Sequence, residues 1–208
     1  VLTQDLTKLF NQLSGFAPHS TYSRLLVAPR TLRSGLLEKI ANETAMAKAG
    51  RPSGIQMKLN SLLDEEFVEA LYTASQAGVK VDLVVRGISS IKPGIPGLSE
   101  NVRVRSLLGR FLEHSRIYHF VNGGDDEYWI GSADLMHRNL DRRVESLVRI
   151  ERLVHKASLQ EVFDLSLSEE TASWHQDQGS WKNVTNNSKG EPLQDLQSLY
   201  IKRYKKAH

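Results

Sequence analysis

An α/β fold built around parallel strands is what this sequence predicts, on three observations. Between residues 23 and 87, apolar runs of strand length alternate with stretches of helical periodicity. The run 79–87 (VKVDLVVRG) is apolar through its middle, as an interior parallel strand covered on both faces must be. Beyond residue 100 the strand-like runs follow one another without intervening helices, and a polar NGGDDE turn at 122–127 joins two of them as a hairpin.

Taken in order, residues 3–14 (TQDLTKLFNQLS) read as an amphipathic helix stopped at Gly15, and 15–23 as a loop holding His19. A strand over 23–29 ends at Pro29, and Thr31 is placed to cap a helix over 32–50 that Gly50 closes. A second strand spans 54–60, a helix 61–78 runs to Gly78, and the third strand follows. This β-α-β-α-β order implies parallel strands joined by right-handed crossovers. A Pro/Gly loop occupies 88–100, long for a simple connection. Strands are expected at 101–109, 114–122, 127–134 and 142–151, then a helix at 155–169. The stretch 174–181 reads as a turn or strand, and 192–208 as a closing basic helix.

Composition narrows the class. A chain of 208 residues, 40% hydrophobic and 25% charged, can bury the core of one domain with an appendage. With no cysteine, disulfide frameworks and thiolate metal sites are excluded, and a reducing compartment is compatible. No apolar run approaches the roughly 20 residues that cross a bilayer, and the opening VLTQDLTKLF is not a secretory signal. The net charge of +3 is too small alone to indicate nucleic acid, but arginines 103, 105, 110, 116, 138, 142 and 143 crowd one central stretch. Arginine grips phosphate as a planar fork, so this stretch is either a phosphate-facing surface or a solvated basic face.

Several positions can carry chemistry. Arg86 and Gly87 end the third strand, and open parallel sheets bind ligands beyond the carboxyl ends of their strands. On position alone Arg86 is as readily a surface arginine closing a strand as an anion contact. Lys58 and Asn60 alternate onto one face of the second strand and approach the same edge; they also read as an exposed polar pair. No His pair has metal-ligand spacing, so no metal site is assigned. Neither a Walker A loop nor a dinucleotide fingerprint is present.

His114-x-Arg116, followed across the hairpin by Gly131-Ser132-x-Asp134, resembles a degenerate second half of the phospholipase D motif, His-x-Lys, Asp, Gly-Ser-x-Asn. Histidine serves phosphoryl chemistry as nucleophile or proton carrier, a cation offsets phosphoryl charge, and small residues let phosphate approach. Arg116 stands where the motif has lysine, and the motif's aspartate has no counterpart before the hairpin.

Longer runs carry a more specific resemblance. Val85-Arg86-Gly87-Ile88, Lys92-Pro93-Gly94-Ile95-Pro96-Gly97-Leu98-Ser99-Glu100-Asn101, Gly109-Arg110-Phe111-Leu112-Glu113-His114-Ser115-Arg116-Ile117-Tyr118, Ser132-Ala133-Asp134 and Arg138-Asn139-Leu140-x-Arg142-Arg143-Val144-Glu145 resemble the C-terminal domain of the bacterial polyphosphate kinase family. Leu25-Leu26-Val27-Ala28-Pro29 and Lys58-x-Asn60-Ser61-Leu62-x-Asp64 agree with it.

The resemblance implies a phospholipase D-like mixed sheet flanked by helices on both faces. Residues 1–22 would then be a helix and linker from a preceding domain, and 23–208 the C-terminal domain. It implies reversible transfer of the terminal phosphate of ATP to inorganic polyphosphate, with Mg²⁺ as cofactor. The phosphohistidine and the Mg²⁺ ligands would lie in the preceding part, leaving this chain inactive alone. Arg86 and His114 match the family's ATP-binding arginine and histidine, and His114 would assist catalysis without itself becoming phosphorylated. Lys58, Asn60, Arg110, Arg116, Ser132, Arg138 and Arg142 become phosphate or polyphosphate contacts. Expected partners are ATP or ADP, polyphosphate, the preceding domains, and further copies in a homo-oligomer. The expected location is cytoplasmic, peripheral to the inner membrane at most. Two alternatives from the residues themselves are a non-catalytic polyanion-binding module and a phospholipase D-type phosphodiesterase half.

Overall fold

A computed structural model describes residues 1–16 and 20–207. His19 and part of the loop expected at 15–23 lie outside the described residues, as does His208. The elements are α1 (Leu2–Leu13), β1 (Leu25–Val27), α2 (Leu32–Lys48), β2 (Ile55–Leu59), α3 (Glu65–Gln76), β3 (Val81–Val85), β4 (Val102–Ser106), β5 (Ile117–Phe120), β6 (Glu127–Gly131), β7 (Ser146–Ile150), α4 (Leu153–Ser166), β8 (Ser173–Asp177), β9 (Ser180–Val184) and α5 (Leu196–Ala207). A 3₁₀ turn at Asn122–Gly124 and a π-helical turn at Arg138–Arg142 complete them.

The strands form one mixed sheet in the order β1-β7-β6-β5-β2-β3-β4-β8-β9. Strands β2, β3 and β4 are parallel, and every other pairing is antiparallel. Alternation along the strands divides the faces. Met57 and Leu59 of β2 and Leu83 and Val85 of β3 pack with Leu36 and Ile40 of α2 and Phe67 and Leu71 of α3. Val84 points the other way, to Leu107 and to Leu196 of α5. On that second face Tyr128 of β6 donates to Gln160 of α4 at 2.6 Å. Helices therefore cover both faces, as the resemblance implies.

The first expected strand is a correction. β1 does not join the parallel set; it is an edge strand, antiparallel to β7, with Leu25 opposite Val148. Both sides of β2 are taken, by parallel β3 and by antiparallel β5, which pairs Met57 with Tyr118. A Leu-Leu-Val run shows that a strand is buried but not which strand lies beside it.

Several boundaries also move, each for a local reason. The helix expected from residue 61 starts at Glu65, because Leu62 and Leu63 are drawn into bridges: their N–H groups donate to Ile88 and Leu135 at 2.9 Å. Asp64 then caps α3, accepting from the Phe67 N–H at 3.4 Å. The strands expected to fill 101–109 and 114–122 shorten to β4 and β5. The loop between them is fastened by Gln197 of α5, which accepts from the Phe111 N–H and donates to its carbonyl, both at 2.7 Å. The strand expected from 142 starts at Ser146, since 138–142 form the π turn, anchored where buried Asn139 donates to buried Glu145 at 2.7 Å. The stretch 174–181 is a hairpin: β8 and β9 meet through Gln178 and Gly179, both at positive φ, as a tight two-residue turn requires.

Candidate functional site

Strand geometry brings the site together at one edge of the sheet. β2 and β3 are parallel and in register, Leu59 opposite Val85, so the residues that follow them, Asn60 and Arg86, emerge side by side. β5 runs antiparallel to β2, so its entry residue Arg116 arrives at the same edge, with His114 two positions before it. β6 delivers Asp134 three residues past its end.

One carboxylate links them. Asp134, buried to 4% exposure, accepts from Arg116 through Nε at 3.2 Å and Nη2 at 2.8 Å, a two-pronged ion pair. Its Oδ1 also accepts from the Asn60 backbone N–H at 2.7 Å. The Asn60 side-chain carbonyl accepts from Arg86 Nε at 2.7 Å. At the other end Arg116 Nη1 donates to the His114 carbonyl at 2.7 Å and lies 2.9 Å from His114 Nδ1. Arg86 and His114, 28 positions apart in sequence, are thus the two ends of one hydrogen-bonded chain. His114 is exposed and Arg86 half-buried, so both meet solvent while the groups between them do not.

A second ion pair lies alongside. Lys58, 4% exposed, donates to Glu113 at 2.9 Å and to Ser115 at 2.8 Å. Burial works to raise the Glu113 carboxyl, but Lys58, Gln197 and Arg86 outweigh it and hold Glu113 below the usual range, ionised. Beside this pair a cavity of about 870 Å³ opens between Ile117, Ile130 and Val148 of the sheet and Leu159, Tyr200 and Tyr204 of the helices.

The other expected contacts are placed differently. Ser132 is exposed, and its Oγ accepts from the Ser146 N–H at 3.3 Å. Arg110 is exposed on the loop before His114, its guanidinium 5.5 Å from the Phe111 ring centre. Arg138 and Arg142 are exposed on the π turn. Lys58, Asn60 and Arg116 are buried in contacts within the chain, so any phosphate they influence is met through the field they create or through their partners.

The small residue at 131 has a structural cause. A Cβ on Gly131 would come within 1.9 Å of the Ser146 carbonyl on β7, so the close neighbour is backbone. Sequence reasoning missed Glu113 as the partner of Lys58 and Asp134 as the hub. Both signals were present, Glu113 directly before His114 and Asp134 closing the Gly-Ser-x-Asp run.

Among the described residues, the carboxylates at this edge do not fit Mg²⁺: Glu113 is held by Lys58 and Gln197. Both oxygens of Asp134 are committed to cations and N–H donors. Away from the edge, Asp64, His137 and Asp141 bring ligand atoms within 4.8 Å of one another. Arg33 already fills that cluster, donating to Asp64 at 2.7 and 2.9 Å and to Asp141 at 2.8 and 3.1 Å.

Comparison with known proteins places this geometry. Residues 25–195 match the family described as polyphosphate kinase C-terminal domain 2. The polyphosphate kinase of Streptomyces coelicolor is 53% identical over 198 residues, 95% of this chain and 26% of the relative. That of Mycobacterium avium is 46% identical over 97% of this chain and 27% of its own length. The chain thus spans about a quarter of the curated relatives it matches. A crystal structure of polyphosphate kinase from Porphyromonas gingivalis superposes with a TM-score of 0.88 at 34% identity, over 99% of this chain and 31% of that one. NucT from Helicobacter pylori (TM-score 0.51, 14% identity, 69% of this chain and 93% of that one) shares the fold. So does the phospholipase D family member Nuc from Salmonella typhimurium (0.50, 16%, 77% and 96%). A phospholipase D-like sheet carrying the Arg86 and His114 runs at one edge, matched along nearly its whole length, makes this chain a member of the polyphosphate kinase family, with residues 25–195 as its second C-terminal domain.

Proposed function

We propose that this chain is the nucleotide-facing half of an ATP–polyphosphate phosphotransferase, and that it is inactive without the rest of that enzyme. The observation that carries the reading is the chain of contacts from Arg86 to His114. It fixes a solvent-facing cation and a solvent-facing imidazole at one sheet edge, where phosphoryl oxygens can meet both. Phosphoryl transfer rests on positioning and charge neutralisation more than on covalent chemistry by the protein. Arg86 neutralises phosphate charge, and His114 assists by donating a hydrogen bond or proton to a phosphoryl oxygen. In this reading the bond between the terminal phosphorus of ATP and its bridging oxygen breaks and ADP leaves as that phosphorus bonds to a ring nitrogen of a histidine outside this chain; in a second step the P–N bond breaks as the phosphorus bonds to a terminal oxygen of polyphosphate. The histidine that carries the phosphoryl group and the Mg²⁺ ligands belong to segments outside this chain.

The exposed arginines Arg138, Arg142 and Arg143 lie on the chain segment that follows Asp134, and we assign them to the path of the polyphosphate anion. Residues 1–22 belong in this reading to the preceding domain, since Leu2, Leu6, Phe10 and Leu13 present an exposed apolar stripe on α1. The reading extends to the cytoplasm, where ATP and polyphosphate are at hand. Phospholipase D-type hydrolysis by this chain has less support, because Arg116, the cation of the motif, is spent on Asp134.

Two measurements on the purified chain test this. Calorimetry is expected to detect ATP binding, while incubation with ATP, Mg²⁺ and polyphosphate is expected to yield no new polyphosphate. Measurable synthesis overturns the half-site, and undetectable ATP binding overturns the nucleotide role.

A further inference from the structure

The contacts around Asp134 fix more than position. A guanidinium has five N–H donors and no acceptor. Where Arg116 Nη1 sits 2.9 Å from His114 Nδ1, the ring nitrogen must supply the lone pair. The proton of the neutral ring then resides on Nε2. The second contact, Arg116 Nη2 to His114 Nε2, is 3.5 Å, at the outer limit of a hydrogen bond, and does not compete. Arg116 is free to turn only as far as Asp134 allows, since Nε and Nη2 are both held by that carboxylate. Asp134 simultaneously holds the Asn60 backbone at 2.7 Å, and Asn60 holds Arg86.

We propose that Asp134 is a positioning residue that sets two groups at once: through Arg116 it holds His114 as the Nε2–H tautomer, and through Asn60 it holds the Arg86 guanidinium. This rests on the nucleotide role assigned above, and it adds the device that makes Arg86 and His114 one unit. Asp134 itself touches no ligand: it is 4% exposed and lies beneath the residues that do. An asparagine here keeps the shape but turns one acceptor into a donor. That donor then opposes the N–H groups of Arg116, or those of the Asn60 and Ser61 backbone. A guanidinium released from Asp134 no longer dictates the ring tautomer, which is the second-neighbour control familiar from other histidine sites.

The test is nitrogen NMR of the imidazole ring of His114 in the 208-residue chain, in its neutral form, for wild type and D134N. The two ring nitrogens of one tautomer have well-separated shifts, so the wild type is expected to show a protonated Nε2 and an unprotonated Nδ1. D134N is expected to shift towards a mixture of tautomers and to lose ATP affinity by about tenfold or more, as loss of a partner that orients a ligand-contacting group does. A wild-type ring protonated on Nδ1 overturns the proposal without any variant, so a D134N chain that fails to fold does not shield it. An unchanged tautomer in folded D134N overturns it as well. ATP binding is read separately: a wild type with the expected tautomer but no ATP affinity contradicts the nucleotide role and leaves the tautomer control standing.

Discussion

His137 shows how a single residue ties charge to stability at a distance from the candidate site. Its Nε2 lies 2.7 Å from Glu65, and its Nδ1 lies 3.2 Å from Asp141 and 3.3 Å from Asp64. Glu65, then Asp141 and Asp64, push the imidazole above its ordinary value, while Glu65 and Asp141 are themselves held below theirs. A raised histidine contributes stability that is complete below the unfolded value and is lost as pH rises through the folded one. H137Q is therefore expected to melt below wild type at about pH 5.5, and to match it at about pH 9. Thermal unfolding at several pH values checks this; a gap that does not change with pH contradicts it. His137 gave no such sign in sequence, because its partners sit on α3 and the π turn. Arg86 was legible from its place at the end of an apolar run, and His114 from its spacing to Arg116 and the Gly-Ser pair. Asp134 and Glu113 were legible as letters but not as partners. A carboxylate in sequence does not reveal which cation, 18 or 55 positions away, it will meet.

At the scale of elements, the junction of β6 and β7 is the least forgiving place at the site. Gly131 is paired with Leu147, and its missing side chain is what lets the Ser146 carbonyl approach. Gly131→Ala forces backbone to move and is expected to destabilise the fold by about 1–3 kcal/mol, measured by urea unfolding. A substitution without cost would mean that β7 yields freely. Element types were readable because apolar period and Gly or Pro punctuation are local properties. Strand neighbours were not: β1 belongs beside β7 and not beside β2, a choice made by long-range pairing. The reach of α3 was misread for the same reason, because residues 61–63 have helical periodicity yet are claimed by bridges to Ser89 and Leu135.

For the whole molecule, the sheet is a plate with the candidate site at one edge. Helices cover both faces, the ends of β2 and β3 and the entry to β5 supply Asn60, Arg86 and Arg116, and a buried carboxylate joins them. Around that edge Ile88, Leu108, Phe111 and Leu112 are exposed, an apolar rim beside charged groups. The central claim is that Arg86 and His114 serve the nucleotide, while the arginines of the π turn serve the polyphosphate. Titration calorimetry of ATP and of polyphosphate into wild type and R86A tests it most directly. The account predicts that R86A weakens ATP binding by about tenfold or more, as loss of a charged phosphate contact should, and polyphosphate binding by clearly less. Equal losses for the two ligands, or an ATP affinity untouched by the substitution, would contradict it.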